Sequence, residues 1–210
     1  MKPEIIHHVA YHTPFGAIVD IDGVTNPKTG RYHVVQDAID AGHKSIFVRN
    51  GTYPRMGTIA TDDIFVMGEG RDALIYADGN QAVLNNGDRV TFFNMSFGQN
   101  VGAGGSSALQ YSADDGLIHG CWIIDGDGHG IYCQGDRNRI IGNVIEDADV
   151  DGIYVEGNNN MVNNNLIKGV AGNAITIPAA SENGVYVGNI TDTAISDSSG
   201  TSTVTGNEQY

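Results

Sequence analysis

The stretch Gly130–Gly169, GIYCQGDRNRIIGNVIEDADVDGIYVEGNNNMVNNNLIKG, repeats its own pattern with a 22-residue period. Ile131-Tyr132-Cys133 is answered by Ile153-Tyr154-Val155, Ile140 by Val162, and Asn143-Val144 by Asn165-Leu166. The register runs on in both directions. Leu109, Ile131, Ile153 and Ile175 form one column, and Tyr111, Cys133, Val155 and Ile177 a second. Between them stand Gln110, Tyr132, Tyr154 and Thr176, more polar on average, which is the alternation of a strand with one buried face. Columns Ile118/Ile140/Val162 and Trp122/Val144/Leu166 mark further strands, the latter continued by Ile190 after a two-residue insertion. Cys121, Asn143, Asn165 and Asn189 each stand just before it.

Two or three short strands per unit cannot form hairpins and keep these columns matched. Stacked coils can, because each strand then pairs in parallel with its equivalent one turn later, about 4.8 Å away. Asparagine in such a column bonds its amide to the next. The pattern predicts an all-β fold, a single right-handed parallel β-helix of roughly seven coils of about 22 residues. An earlier coil fits with Val83, Val90, Phe92, Asn94 and Met95, followed by a Gly/Ser-rich connection from Gly98 to Ser107.

Tyr32–Gly42 has apolar residues at 35, 38 and 39 and ends at glycine, a short amphipathic helix that would cap the open end of the stack. The expected organisation is an N-terminal arm over 1–30, a β-helix domain over 31–207 with its capping helix at 32–42, and a closing segment over 192–210. The arm would wrap the cap or dock on a partner.

Composition agrees: 29 glycines and only 17% charged residues suit many tight turns. A net charge of −14 argues against phosphate recognition, so no nucleic-acid partner is expected. No apolar run approaches the ~18 residues of a membrane span, and Met1–Ala10 lacks a signal-peptide core, so neither a membrane nor secretion by the usual route is expected. The two cysteines, Cys121 and Cys133, read as small core residues.

The segment VVQDAIDAGHKSIFVRNGTY, Val34–Tyr53, resembles the N-terminal part of the pectate-lyase-like β-helix superfamily, where a helix leads to a strand and a "GTY" turn. The repeating units resemble those of the same superfamily, over roughly residues 30 to 195. The resemblance implies the fold. It leaves function open, since this scaffold serves lyases, hydrolases, epimerases, phage tailspikes and non-enzymatic virion proteins.

Chemistry concentrates at one turn. Asp125, Asp127 and His129 in "DGDGHG" lie one repeat before Asp147, Asp149 and Asp151 in "DADVDG", so stacking makes them neighbours. Carboxylates so placed repel unless a cation, a proton or water intervenes. Two functional readings stand: a Ca²⁺ site at Asp125, Asp127, Asp147 and Asp149, or acid/base catalysis on a sugar by Asp125, Asp127, His129, Asp147, Asp149 and Asp151. The third reading is a solvated acidic turn with no cofactor. The lyases of the superfamily set an arginine beside such carboxylates. Here Arg137 stands one repeat after Asp115, which predicts a cross-coil ion pair at another corner, and Arg139 is the other candidate. "GHG" is shared with polygalacturonases, but their "NTD" and "RIK" companions are missing. His119 reads as an edge residue. His7, His8 and His12 form a second group able to hold a metal or an oligomer contact. Outward Tyr132 and Tyr154 suit either a sugar ring or a neighbouring subunit.

Few coils and tight turns leave little room for a walled groove. The expectation is therefore a non-enzymatic viral structural protein, a head-decoration (cement) protein on the capsid surface of a tailed phage. It would act as a homotrimer against the major capsid protein or another virion protein. The alternative is a carbohydrate-active enzyme or tailspike module acting on an acidic polysaccharide.

Overall fold

The computed structural model describes residues 15–22, 25, 29–99 and 105–210, with the side chain of Asp125 outside the description. The chain winds into a parallel β-solenoid of about seven turns, with three sheets around one core. The first face has ten strands, running from Arg31–Tyr32 and Ala17–Val19 through Arg139–Ile141 to Thr203–Thr205. The second has eight, from Gly51–Pro54 to Glu208–Gln209, and the third seven, from Gly57–Ile59 to Ile195–Asp197. Every pairing is parallel, and the registers Ile131↔Ile153↔Ile175, Ile140↔Val162 and Val144↔Leu166↔Ile190 are those of the sequence columns.

Alternate residues of each strand point inward and are buried, among them Ile140, Ile145, Ile153, Val162 and Ile167. Full burial of such a side chain stabilises by about 1.5–3 kcal/mol, and the solenoid repeats it at each coil. Cys121 and Cys133 are free thiols in this core, and burial raises both to a pKa of about 12.

Where the first face turns into the second, buried asparagines stack. The Oδ1 of Asn165 accepts the main-chain N–H of Asn143 at 2.9 Å, and that of Asn189 accepts the N–H of Asn165 at 3.0 Å. Each amide also donates inward, Asn143 to the Ile118 carbonyl and Asn165 to that of Ile140, both at 3.0 Å. A corner of only two residues leaves main-chain groups unpaired inside the core, and the amide satisfies a donor and an acceptor at once. At the next corner Asn138 and Asn160 repeat the device. Outside it, Asp63, Arg89, Asp115, Arg137, Asn159 and Asn183 share a left-handed conformation, φ 56–60°. There Arg137 bonds Asp115 at 2.8 Å, the predicted cross-coil pair.

The helix spans Val35–Asp40, shorter than the expected 32–42. Tyr32 belongs to a strand, with its hydroxyl on His43 Nε2 at 2.9 Å. Val35, Ala38 and Ile39 are buried against the first strands and cover that end of the core. The solenoid also begins earlier than residue 31. Ala17–Val19 pairs with both Arg31–Tyr32 and Ser45–Val48, and Ala17 and Val19 are buried, so part of the expected arm is sheet. The closing segment adds one more short coil, whose edge is exposed: Val204 in its strand is 37% accessible, and Tyr210 just after the last strand 67%.

Candidate functional site

The acidic turn lies between the second and third faces. Stacking holds there at the main chain: Asp149 N–H donates to Gly126 O at 2.7 Å and Val150 N–H to Gly128 O at 3.0 Å. The side chains nonetheless diverge. Asp127 accepts the Gly105 N–H of the coil before, at 3.1 Å. Asp147 is exposed in the left-handed conformation, φ 59°, and Asp149 is also exposed. Asp151 is 7% accessible and accepts the N–H of Asn173 on the next coil at 2.8 Å. Among the described residues no three His, Cys, Asp or Glu side chains gather closely enough to hold a metal ion. Asp127 and Asp151 each cap a neighbouring coil's main chain, and Asp147 and Asp149 face solvent. The side chain of Asp125, and His7, His8 and His12, lie outside the described residues.

His129 and Asp151 do meet as the spacing predicted. His129 Nδ1 lies 3.3 Å from the Asp151 main-chain N and 3.4 Å from its Oδ2. Burial lowers the imidazole pKa against the opposing pull of Asp151 and Glu156, so the neutral ring accepts the main-chain N–H. The ring packs on Tyr154 at 4.8 Å and on Tyr132 at 5.6 Å, which themselves meet edge to face at 5.4 Å. Tyr132 donates its hydroxyl to Glu156 at 2.7 Å, while Gln134 donates to both. Burial, then the bond to Glu156, pushes the Tyr132 hydroxyl up to a pKa of about 12.

The outward middle of the third face is thus one connected cluster of His129, Tyr132, Gln134, Asp151, Tyr154 and Glu156. Glu156 and Gln134 were missed in the sequence. Their signal is present as a third column at the same period, Ser112/Gln134/Glu156, in which Ser112 donates to Gln134 at 2.9 Å. The arginines are not part of this cluster. Arg137 is held at another corner by Asp114 and Asp115, and Arg139 points outward on the first face. His119 also lies there, edge to face with Phe93 at 5.1 Å.

Parallel strands stacked on three faces and an internal asparagine ladder define a parallel β-helix. Residues 39–192 match the family described as right handed beta helix region, and the chain belongs to that family. No curated protein matches the chain. Among solved structures, the bacteriophage Phi29 gene product 12 N-terminal fragment is similar, with a TM-score of 0.66 and 18% identity over 84% of this chain. The chain spans only 36% of that fragment. The pectin methylesterase of Aspergillus niger is as similar, with a TM-score of 0.66 and 21% identity over 85% of this chain and 67% of the enzyme. At these identities the likeness is one of fold.

Proposed function

We propose that the chain is a non-enzymatic structural protein of a tailed-phage virion. In this reading it is a head-decoration protein that stabilises the capsid surface as a trimer, against the major capsid protein or another virion protein. The observation that carries the reading is that, among the described residues, tight turns and no long wall-forming loop surround the candidate chemistry. Two surface depressions, of about 310 and 370 Å³, lie at the C-terminal end and on the second face, and neither is lined by a carboxylate of the acidic turn or by His129. Catalysis needs a site that positions substrate and excludes water, and tight turns build no walls for one. The fold likeness to a phage protein supports the setting. Copy number in purified particles, measured by quantitative mass spectrometry, tests it: a fixed stoichiometry to the major capsid protein is expected, and absence from particles overturns it.

One observation favours the second reading, a carbohydrate-active protein acting on an acidic polysaccharide. Tyr132, Tyr154 and Glu156 form an aromatic and carboxylate platform on a fold shared with a pectin methylesterase. Incubation with uronate polymers, with and without Ca²⁺, followed for unsaturated products, reducing ends and released methanol, separates the two. Product formation abolished by Glu156→Gln would establish this reading.

A further inference from the structure

Two of the three outer faces are apolar where water is expected. On the first face the outward column runs Phe47, Met67, Phe93, His119 and Ile141, each one coil from the next. The second face presents Leu74, Trp122, Val144, Leu166 and Ile190. The third is polar, with Gln110, Gln134 and Glu156 about its tyrosines. In a chain of net charge −14, neither outward column of the first face holds a carboxylate from Ser45 to Thr205. On the second face Glu146 is matched by Lys168 at 3.0 Å and Arg71 at 3.6 Å. Phe15 lies over the first face, against Phe47 and Phe65.

We infer that these two faces are the contact surfaces of a ring of copies, the first face of one against the second face of the next. The Gly/Asn corner between them lies toward the axis and the third face outward. The occupant is a second copy of this chain for three reasons. Copies this acidic repel least through surfaces poor in carboxylates: the outward columns of the first face hold none from Ser45 to Thr205, and on the second face Glu146 is neutralised by Lys168 and Arg71. Two different, adjoining patches make a heterologous contact, which closes into a ring when the rotation allows. Each face measures about 35 Å by 13 Å, a flat footprint of about 450 Å². Side-chain corrugation and the flanking turns raise that toward the ~800 Å² per partner of a stable interface.

Shape agrees with this pairing. The second face has a depression of about 370 Å³ where Ser96 interrupts the large residues, lined by Leu74 and Ile124 together with the charged Arg71 and Asp72. Phe93 belongs to the same coil as Ser96, on the first face. A symmetry axis parallel to the solenoid keeps equal coils level. It therefore brings Phe93 of one copy opposite the depression of the next, an aromatic anchor facing a pocket.

The inference rests on the proposed function for the number of copies, three. Light scattering or sedimentation of the purified protein at micromolar concentration should show a trimer. Phe93→Glu should weaken association at least about 100-fold with the circular dichroism spectrum unchanged, whereas Tyr132→Ala with Tyr154→Ala should leave the trimer intact. Chains carrying Phe93→Cys and Ile124→Cys should form a disulfide-linked pair when mixed and not separately. A monomeric parent protein, dissociation by the tyrosine pair but not by Phe93→Glu, or cross-linking of Phe93→Cys with itself would each overturn the assignment. A trimer joined this way but absent from particles would refute the virion role and leave the interface standing.

Discussion

Asn165→Ala tests what holds the corner between the first and second faces. Asn165 is 1% accessible, so its partners cannot turn to water when the amide is removed. The substitution strips the acceptor of Asn143 N–H and one acceptor of the Asn143 amide, at 2.9 and 3.0 Å. It also removes the donor to the Ile140 carbonyl and one of two donors to Asn189 Oδ1, each at 3.0 Å. Two main-chain groups are left bare, at roughly 1–3 kcal/mol each. The expected loss is therefore about 3–5 kcal/mol, a large fraction of a typical 5–15 kcal/mol. Urea unfolding at fixed protein concentration measures it, with m expected to be unchanged. Asn165→Leu, which fills the space but restores no hydrogen bond, should cost a similar amount. Gln134→Ala, at an exposed position on the third face, should cost less than about 1 kcal/mol. A loss below about 1 kcal/mol for Asn165→Ala, or a neutral Asn165→Leu, would refute the claim that the amide ladder secures the coil.

Three further outcomes follow from the same geometry. Gly157→Ala drives a Cβ into the Gly135 carbonyl of the preceding coil, where only main chain is available to yield; loss of soluble folded protein, or a cost above about 3 kcal/mol, is expected in expression and melting assays. Arg137→Ala removes an exposed ion pair with Asp114 and Asp115, so its small effect on melting should be seen at low salt and vanish at high salt. Burial lowers the His129 pKa, so the unfolded chain takes up its proton first as pH falls. The stability from the neutral ring is complete above about pH 6.5 and is lost as pH drops through the folded value. His129→Gln should flatten that part of the urea-midpoint profile, and an unchanged profile would remove His129 as its source.

The middle of the solenoid was legible because its coils are of equal length. With the period constant, Ile131, Ile153 and Ile175 announce their own pairing, and Asp115 with Arg137 follows from the same arithmetic. Legibility fails where the turns change length. Thr91 pairs with Phe65 and with Leu117 at steps of 26, and Val185 with Thr203 at 18, so no fixed spacing aligns them. Ala17–Val19 is too short for any period, and only its pairing with strands on both sides reveals it. The acidic turn shows a different limit. Spacing located Asp127, Asp147 and Asp149 near one another, but the left-handed kink at Asp147 and the N–H groups offered by neighbouring coils decide where each carboxylate points.

The same limit explains why the outer apolar columns escape a reading by alternation. A strand with one wet face alternates, and the third face does so, with Tyr132 between Ile131 and Cys133. Strands covered on both sides read as near-continuous apolar runs. Ile140-Ile141 and Val144-Ile145, two apolar pairs separated by a two-residue corner, come near such a run, with Ile140 and Ile145 facing the core while Ile141 and Val144 face outward. From spacing alone that run records only that the coil is apolar there. Once the registers assign each residue a side, the outward members stand out as two apolar columns, and in the proposed ring the two neighbours of a chain cover one face each.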